Sequence, residues 1–159
     1  MPKYKAHLFT GFILFLLFIV LLIKFSIFNF NKHLLPLYFG FCLLGSLFPD
    51  IDTKSKIQKI IYYLFFFVIL FTIFLQNWLV LSAIVIIAFI PILSNHRALT
   101  HKKWFILLVP LVITFLVISF KQSLKYEALS SYLFFEIGAL SHIFLDKAVT
   151  KWFNSKKYK

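Results

Sequence analysis

The sequence predicts an all-α integral membrane protein, a bundle of about six transmembrane helices forming a single domain over residues 1–159. Three observations carry this. Hydrophobic residues make up 62% of the chain and charged residues only 14%, where a soluble globular domain holds roughly 45–50% and about 25%. The apolar residues gather in long runs, and about 20 residues at 1.5 Å rise cross the roughly 30 Å hydrocarbon core. The basic residues collect between those runs, which is how a membrane protein marks its loops.

The first run is His7 to Phe28, broken only by Lys24, whose long stem lets the ammonium reach a nearby interface. Lys3 and Lys5 precede it as in a signal peptide, but no small-residue cleavage motif follows, so a retained helix is expected. The second run, His33 to Phe48, is short and holds Pro36, Gly40 and Gly45; a tilted, a re-entrant and a full span all fit it. The third is Ile57 to Leu75 and the fourth Trp78 to Leu93. The fifth runs from Trp104 to Phe120 around Pro110, and the sixth from Ala128 to Leu145 around Glu136 and His142. Short connections make consecutive helices antiparallel neighbours. The basic and aromatic segment after Asp146, with Lys147, Lys151, Trp152, Lys156, Lys157 and Lys159, reads as an interfacial anchor. No repeat, linker or appended soluble domain is visible. The four glycines, Gly11, Gly40, Gly45 and Gly138, are expected at helix contacts.

Orientation follows from alternating the six spans. One face then holds Lys3, Lys5, Lys54, Lys56, Lys59, Arg97, Lys102, Lys103, Lys147, Lys151, Lys156, Lys157 and Lys159; the other holds Lys24, Lys32, Lys121 and Lys125. Thirteen against four places the first face, and both termini, in the cytoplasm. The net charge of +12 is therefore read as topology, and membrane lipid rather than nucleic acid is the expected partner. Cys42 is the only cysteine, so no intrachain disulfide is possible, and it reads as a small buried apolar side chain.

Five histidines and five acidic residues are few enough to place one by one. His7 opens the first run; Asp50 and Asp52, in Phe-Pro-Asp-Ile-Asp, close the second. His96 and His101, in Asn-His-Arg-Ala-Leu-Thr-His, lie between the fourth and fifth; His142 and Asp146 close the sixth. All seven fall at the cytoplasmic face of a topology drawn without them. Imidazole and carboxylate at one end of a bundle suit one or two divalent ions, zinc foremost with manganese or iron open, and the lack of thiolates argues against a cysteine-type structural site. His142 and Asp146 are four apart and share a helix face. The plainer alternative is that each is an ordinary interfacial side chain. Ionisable groups in membrane segments are costly, however, and tend to be functional.

These segments, in this order, resemble the YdjM-like (LexA-regulated) membrane-bound metal-dependent hydrolases of bacteria and archaea. The likeness rests on His7 with Gly11, on Gly45-x-x-x-Pro49-Asp50-x-Asp52, on His96-Arg97-x-x-Thr100-His101, and on Gly138-x-x-x-His142-x-x-x-Asp146. It implies a multi-pass protein of a prokaryotic cytoplasmic (inner) membrane. It also implies a remote similarity to the helical scaffold of zinc-dependent phospholipase C and the P1-type nucleases, here with a mono- or dinuclear site.

The resemblance, together with the clustered ligand-type residues, implies a hydrolase acting at the cytoplasmic interface, its ions held by His7, Asp50, Asp52, His96 or His101, His142 and Asp146. A metal-activated water would attack a phosphoester, lipid or lipid-linked in origin. Asp50, Asp52, Arg97 and His101 are the candidate catalytic residues. Arg97, the only arginine, suits a bidentate phosphate clamp, although an ion pair with Asp50 or Asp52 would use it equally well. Two alternatives stay open: a divalent-cation transporter, for which only Glu136 lies near the midplane, and a metal-binding membrane scaffold without catalysis.

Overall fold

Helical periodicity and the scarcity of glycine and proline inside the apolar runs leave the backbone one economical way to satisfy its hydrogen bonds in lipid. A computed structural model of the chain, describing residues 4–25, 32–52, 56–74 and 102–157 with isolated positions between 76 and 88, is helical at these positions apart from short turns. The described α-helices are α1 (Tyr4–Phe25), α2 (Leu35–Leu47), α3 (Lys56–Phe74), α4 (Lys103–Phe120) and α5 (Lys125–Lys157). Tight 3-10 turns at Lys32–Leu34, Phe48–Asp52 and Gln122–Leu124 punctuate them.

Among the described residues, two stretches are long and apolar enough to cross a membrane, Tyr4–Phe25 and Gln122–Thr150, while Leu35–Ile51, Gln58–Phe74 and Trp104–Phe120 are shorter apolar helices. The expected fourth span, Trp78–Leu93, lies largely outside the described residues. The last helix departs most from the hydropathy reading. It begins at Lys125 and continues past Asp146 to Lys157, because Lys, Ala and Val there are compatible with a helix and neither glycine nor proline interrupts it.

The chain divides into two compact units, Met1–Pro49 with Pro110–Lys159, and Asp50–Val109. In the first, α2 packs along α5, and α1 lies against both. The α2–α5 contact is a backbone contact. A Cβ built on Gly45 would collide with the Phe135 carbonyl, and one on Gly138 with the Cys42 carbonyl. Only glycine at both positions lets the two helices approach this closely. Around this seam Phe15, Leu22, Tyr38, Cys42 and Phe134 form the core. The Tyr38 and Phe134 rings stack at 5.1 Å, and the Cys42 thiol donates to the Gly11 carbonyl at 3.5 Å.

In the second unit, the Tyr62 hydroxyl donates to the Ala88 carbonyl at 3.4 Å. Within α3, the Thr72 hydroxyl bonds back to the carbonyls of Val68 and Ile69, the usual way a hydroxyl is satisfied in an apolar helix.

Polarity is inverted relative to a water-soluble bundle. Phe67, Phe74, Phe115 and Phe144 are exposed, whereas His7, Ser46, Glu136, Ser141 and His142 are buried. That pattern is stable when the surrounding solvent is hydrocarbon.

The glycine seam gives a direct test. Gly138→Ala inserts a methyl group into the Cys42 carbonyl and should cost about 1–3 kcal/mol by overpacking, read as a lower unfolding midpoint in detergent. Gly40→Ala, with nothing within 4 Å of the added Cβ, should leave the midpoint in place. Equal midpoints for the two variants would contradict the seam.

Candidate metal centre

The same seam that joins α2 to α5 also sets the side chains at its end. His7 lies in the first turn of α1, and His142 and Asp146 lie one turn apart on α5. The Phe48–Asp52 turn continues α2 without interruption, so Asp50 is carried on the end of that helix. Phe48 is buried and meets the Phe135 ring edge-on at 5.2 Å, which anchors the start of the turn to α5.

His7 is 1% exposed and His142 is fully buried. Their rings stack with centroids 3.8 Å apart and planes 11° from parallel. The Nδ1 of His142 lies 2.8 Å from the Ser46 carbonyl oxygen. A carbonyl can only accept, so Nδ1 carries the proton and Nε2 presents its lone pair. A backbone carbonyl on one imidazole nitrogen is the usual device for aiming the other at a metal.

Asp146 reaches both rings. One carboxylate oxygen lies 3.6 Å from His7 Nε2 and the other 3.4 Å from His142 Nε2. These separations exceed the 2.7–3.2 Å of a strong N–H···O bond. They are close to the edge, about 3.4 Å, of a tetrahedron with metal–ligand bonds of 2.0–2.1 Å. One donor atom each from His7, Asp50 and His142 all lie within 4.8 Å of one another. The cluster can therefore hold a metal ion, with Asp146 beside it as a further oxygen donor. The nearby hydroxyls are committed elsewhere, Ser46 to the Leu43 carbonyl at 2.7 Å and Ser141 to the Gly138 carbonyl at 2.6 Å.

Of the expected site residues, the structure brings together His7, Asp50, His142 and Asp146. His96, Arg97 and His101 lie outside the described residues, as does the side chain of Asp52. Ser46 leaves no mark in the sequence, since it acts through a carbonyl that every residue has. Glu136, inside the sixth apolar run and so expected to be buried, is buried. It is 6% exposed, and both carboxylate oxygens lack a hydrogen-bond partner among the described residues.

A chain that is helical through its described elements, with inverted polarity and two buried imidazoles meeting carboxylates at one helix end, is a membrane protein with a candidate metal centre. The chain belongs to the YdjM inner membrane protein family, which it matches over residues 3–153. No curated protein and no solved structure matches it.

The ligand set predicts which substitutions matter. His7→Ala and His142→Ala should each lower metal affinity at least tenfold, measured by elemental analysis of protein dialysed against graded chelator. His33→Ala, at an exposed side chain before α2, should retain the wild-type metal content. Unchanged metal in both ligand variants would remove these residues from the site.

Proposed function

We propose that this protein is a metal-dependent hydrolase of the inner membrane that cleaves a phosphoester, lipid or lipid-linked, at the cytoplasmic interface. The observation that carries the reading is the convergence of the buried His7 and His142 with the partly exposed Asp50, with Asp146 against both imidazoles. Membership of an inner membrane family supports the location. The thirteen-to-four distribution of basic residues supports a multi-pass topology of six spans with both termini cytoplasmic.

His7, Asp50, His142 and Asp146 would hold one divalent ion, zinc foremost and manganese or iron next; Asp52 with His96 or His101 would complete a second position. When bound, such an ion supplies Lewis acidity and a water acidified enough to attack at neutral pH. The chain's own residues do the rest. The Ser46 carbonyl keeps His142 in one tautomer and one rotamer. Asp146 sets one carboxylate oxygen near each imidazole, at 3.6 Å from His7 and 3.4 Å from His142. The burial of the two imidazoles excludes water from their side, so the opening is left to the carboxylates of Asp50 and Asp146, both partly exposed. Arg97, with five donors in a planar fork, suits the substrate phosphate, and Lys102 and Lys103 raise the local concentration of anionic headgroups. Asp52 and His101 are the candidates for moving the proton to the leaving oxygen.

Purified protein screened against phosphoester and phospholipid substrates tests this reading. Hydrolysis should vanish with chelator, return with zinc or manganese, and fall at least 100-fold in Asp50→Ala and His142→Ala. Hydrolysis that survives chelation would overturn the proposal. Metal flux into liposomes without hydrolysis, abolished by Glu136→Gln, would replace it with transport.

A further inference from the structure

A separate feature of the first unit lies at the start of α5, well before His142 and Asp146 on the same helix. A cavity of about 420 Å³ opens between the start of α2, the second half of α4 and the first two turns of α5. This is within the usual range for a small-molecule site, about 300–1,000 Å³. Leu37 and Phe41 of α2 and Ile113 and Val117 of α4 give it apolar walls, while Glu127 and Tyr132 of α5 add polar groups. Glu127 lies 15 residues before His142, or about 22 Å along a helix at 1.5 Å per residue.

The walls call for an acyl chain, and the polar end decides what that chain is attached to. The Oε2 atom of Glu127 is buried and has no hydrogen-bond partner among the described residues. A carboxylate oxygen withdrawn from water beside apolar walls is costly unless a cation with N–H donors reaches it. The exposed Lys121 and Lys125 lie three residues before and one after Leu124, itself a wall residue, and bring positive charge to this end of the cavity. An occupant that meets all three features has hydrocarbon chains, a phosphate and, next to the phosphate, a primary ammonium.

We propose that this cavity binds a phospholipid with a primary-ammonium headgroup from the surrounding bilayer. Its ammonium donates to Glu127, its phosphate faces Lys121 and Lys125, and an acyl chain lies along Leu37, Phe41, Ile113 and Val117. A glycerol headgroup brings no cation to Glu127. A quaternary trimethylammonium headgroup brings charge without an N–H donor. The site is independent of the hydrolase reading, since none of these residues belongs to the His7–His142 cluster.

Native mass spectrometry of the intact protein, exchanged into an equimolar mixture of ethanolamine, choline and glycerol phospholipids, tests the proposal. Wild type should retain the ethanolamine lipid at least fivefold over either of the others. Glu127→Gln, which keeps the shape and removes the charge, should bring the three to parity while leaving metal content and unfolding midpoint unchanged. Ala128→Phe, which fills the cavity, should lower retention of the ethanolamine lipid. Equal retention of the three lipids by wild type, or an ethanolamine preference that survives Glu127→Gln, would overturn the assignment. The wild-type comparison decides the matter even if Ala128→Phe fails to fold.

Discussion

The structure depends on one close approach, the backbone contact of α2 with α5 at Gly45 and Gly138. In lipid, helices gain little from hiding apolar surface, because the solvent is equally apolar; association comes from dispersion and from polar groups that meet across the seam. Each glycine faces backbone of the other helix where any Cβ would collide. That closeness brings the Ser46 carbonyl within 2.8 Å of His142 Nδ1. A wider seam would leave the imidazole without its anchor and free its Nε2 to turn away from Asp146. Packing and candidate chemistry thus share one cause, and the four-residue spacing from Gly138 to His142 on α5 ties them together.

Burying two imidazoles against a carboxylate is unfavourable in isolation. A polar group removed from water costs roughly 2–7 kcal/mol without compensation, and the interior of a membrane helix bundle supplies few compensating donors. Here the compensation is local. Ser46 takes one nitrogen of His142, Asp146 faces both rings, and Asp50 brings a second carboxylate from the end of α2. A divalent ion would satisfy the remaining lone pairs together, which is why the cluster reads as a ligand set rather than as a hydrogen-bond network. Glu136 shows the contrast. Its carboxylate is withdrawn further from solvent than those of Asp50 and Asp146, but no imidazole or second carboxylate joins it among the described groups that could hold a metal.

Much of the fold was legible because hydropathy and helix length are governed by the same 30 Å of hydrocarbon. The third and fifth apolar runs, Ile57–Leu75 and Trp104–Phe120, differ from α3 and α4 by a single residue at their shifted ends. The sixth run stopped at Leu145 while the helix continues to Lys157, since hydropathy reports contact with lipid and not where backbone hydrogen bonding ends. Glycines could be read as packing positions, but that Gly45 opposes Phe135 and Gly138 opposes Cys42 depends on register between distant segments. The donors His7, Asp50, His142 and Asp146 stood out because the chain has so few ionisable groups. The stacking of His7 on His142 and the role of the Ser46 carbonyl did not, since neither leaves a compositional trace.

X-ray absorption spectroscopy on metal-loaded protein tests the proposed centre most directly. A site built on His7, Asp50, His142 and Asp146 predicts a first shell of nitrogen and oxygen only, at about 2.0–2.1 Å for zinc, with the outer-shell scattering of two imidazoles. A sulfur shell at about 2.3 Å, for which Cys42 is the only cysteine available, or a first shell without imidazole scattering, would contradict it.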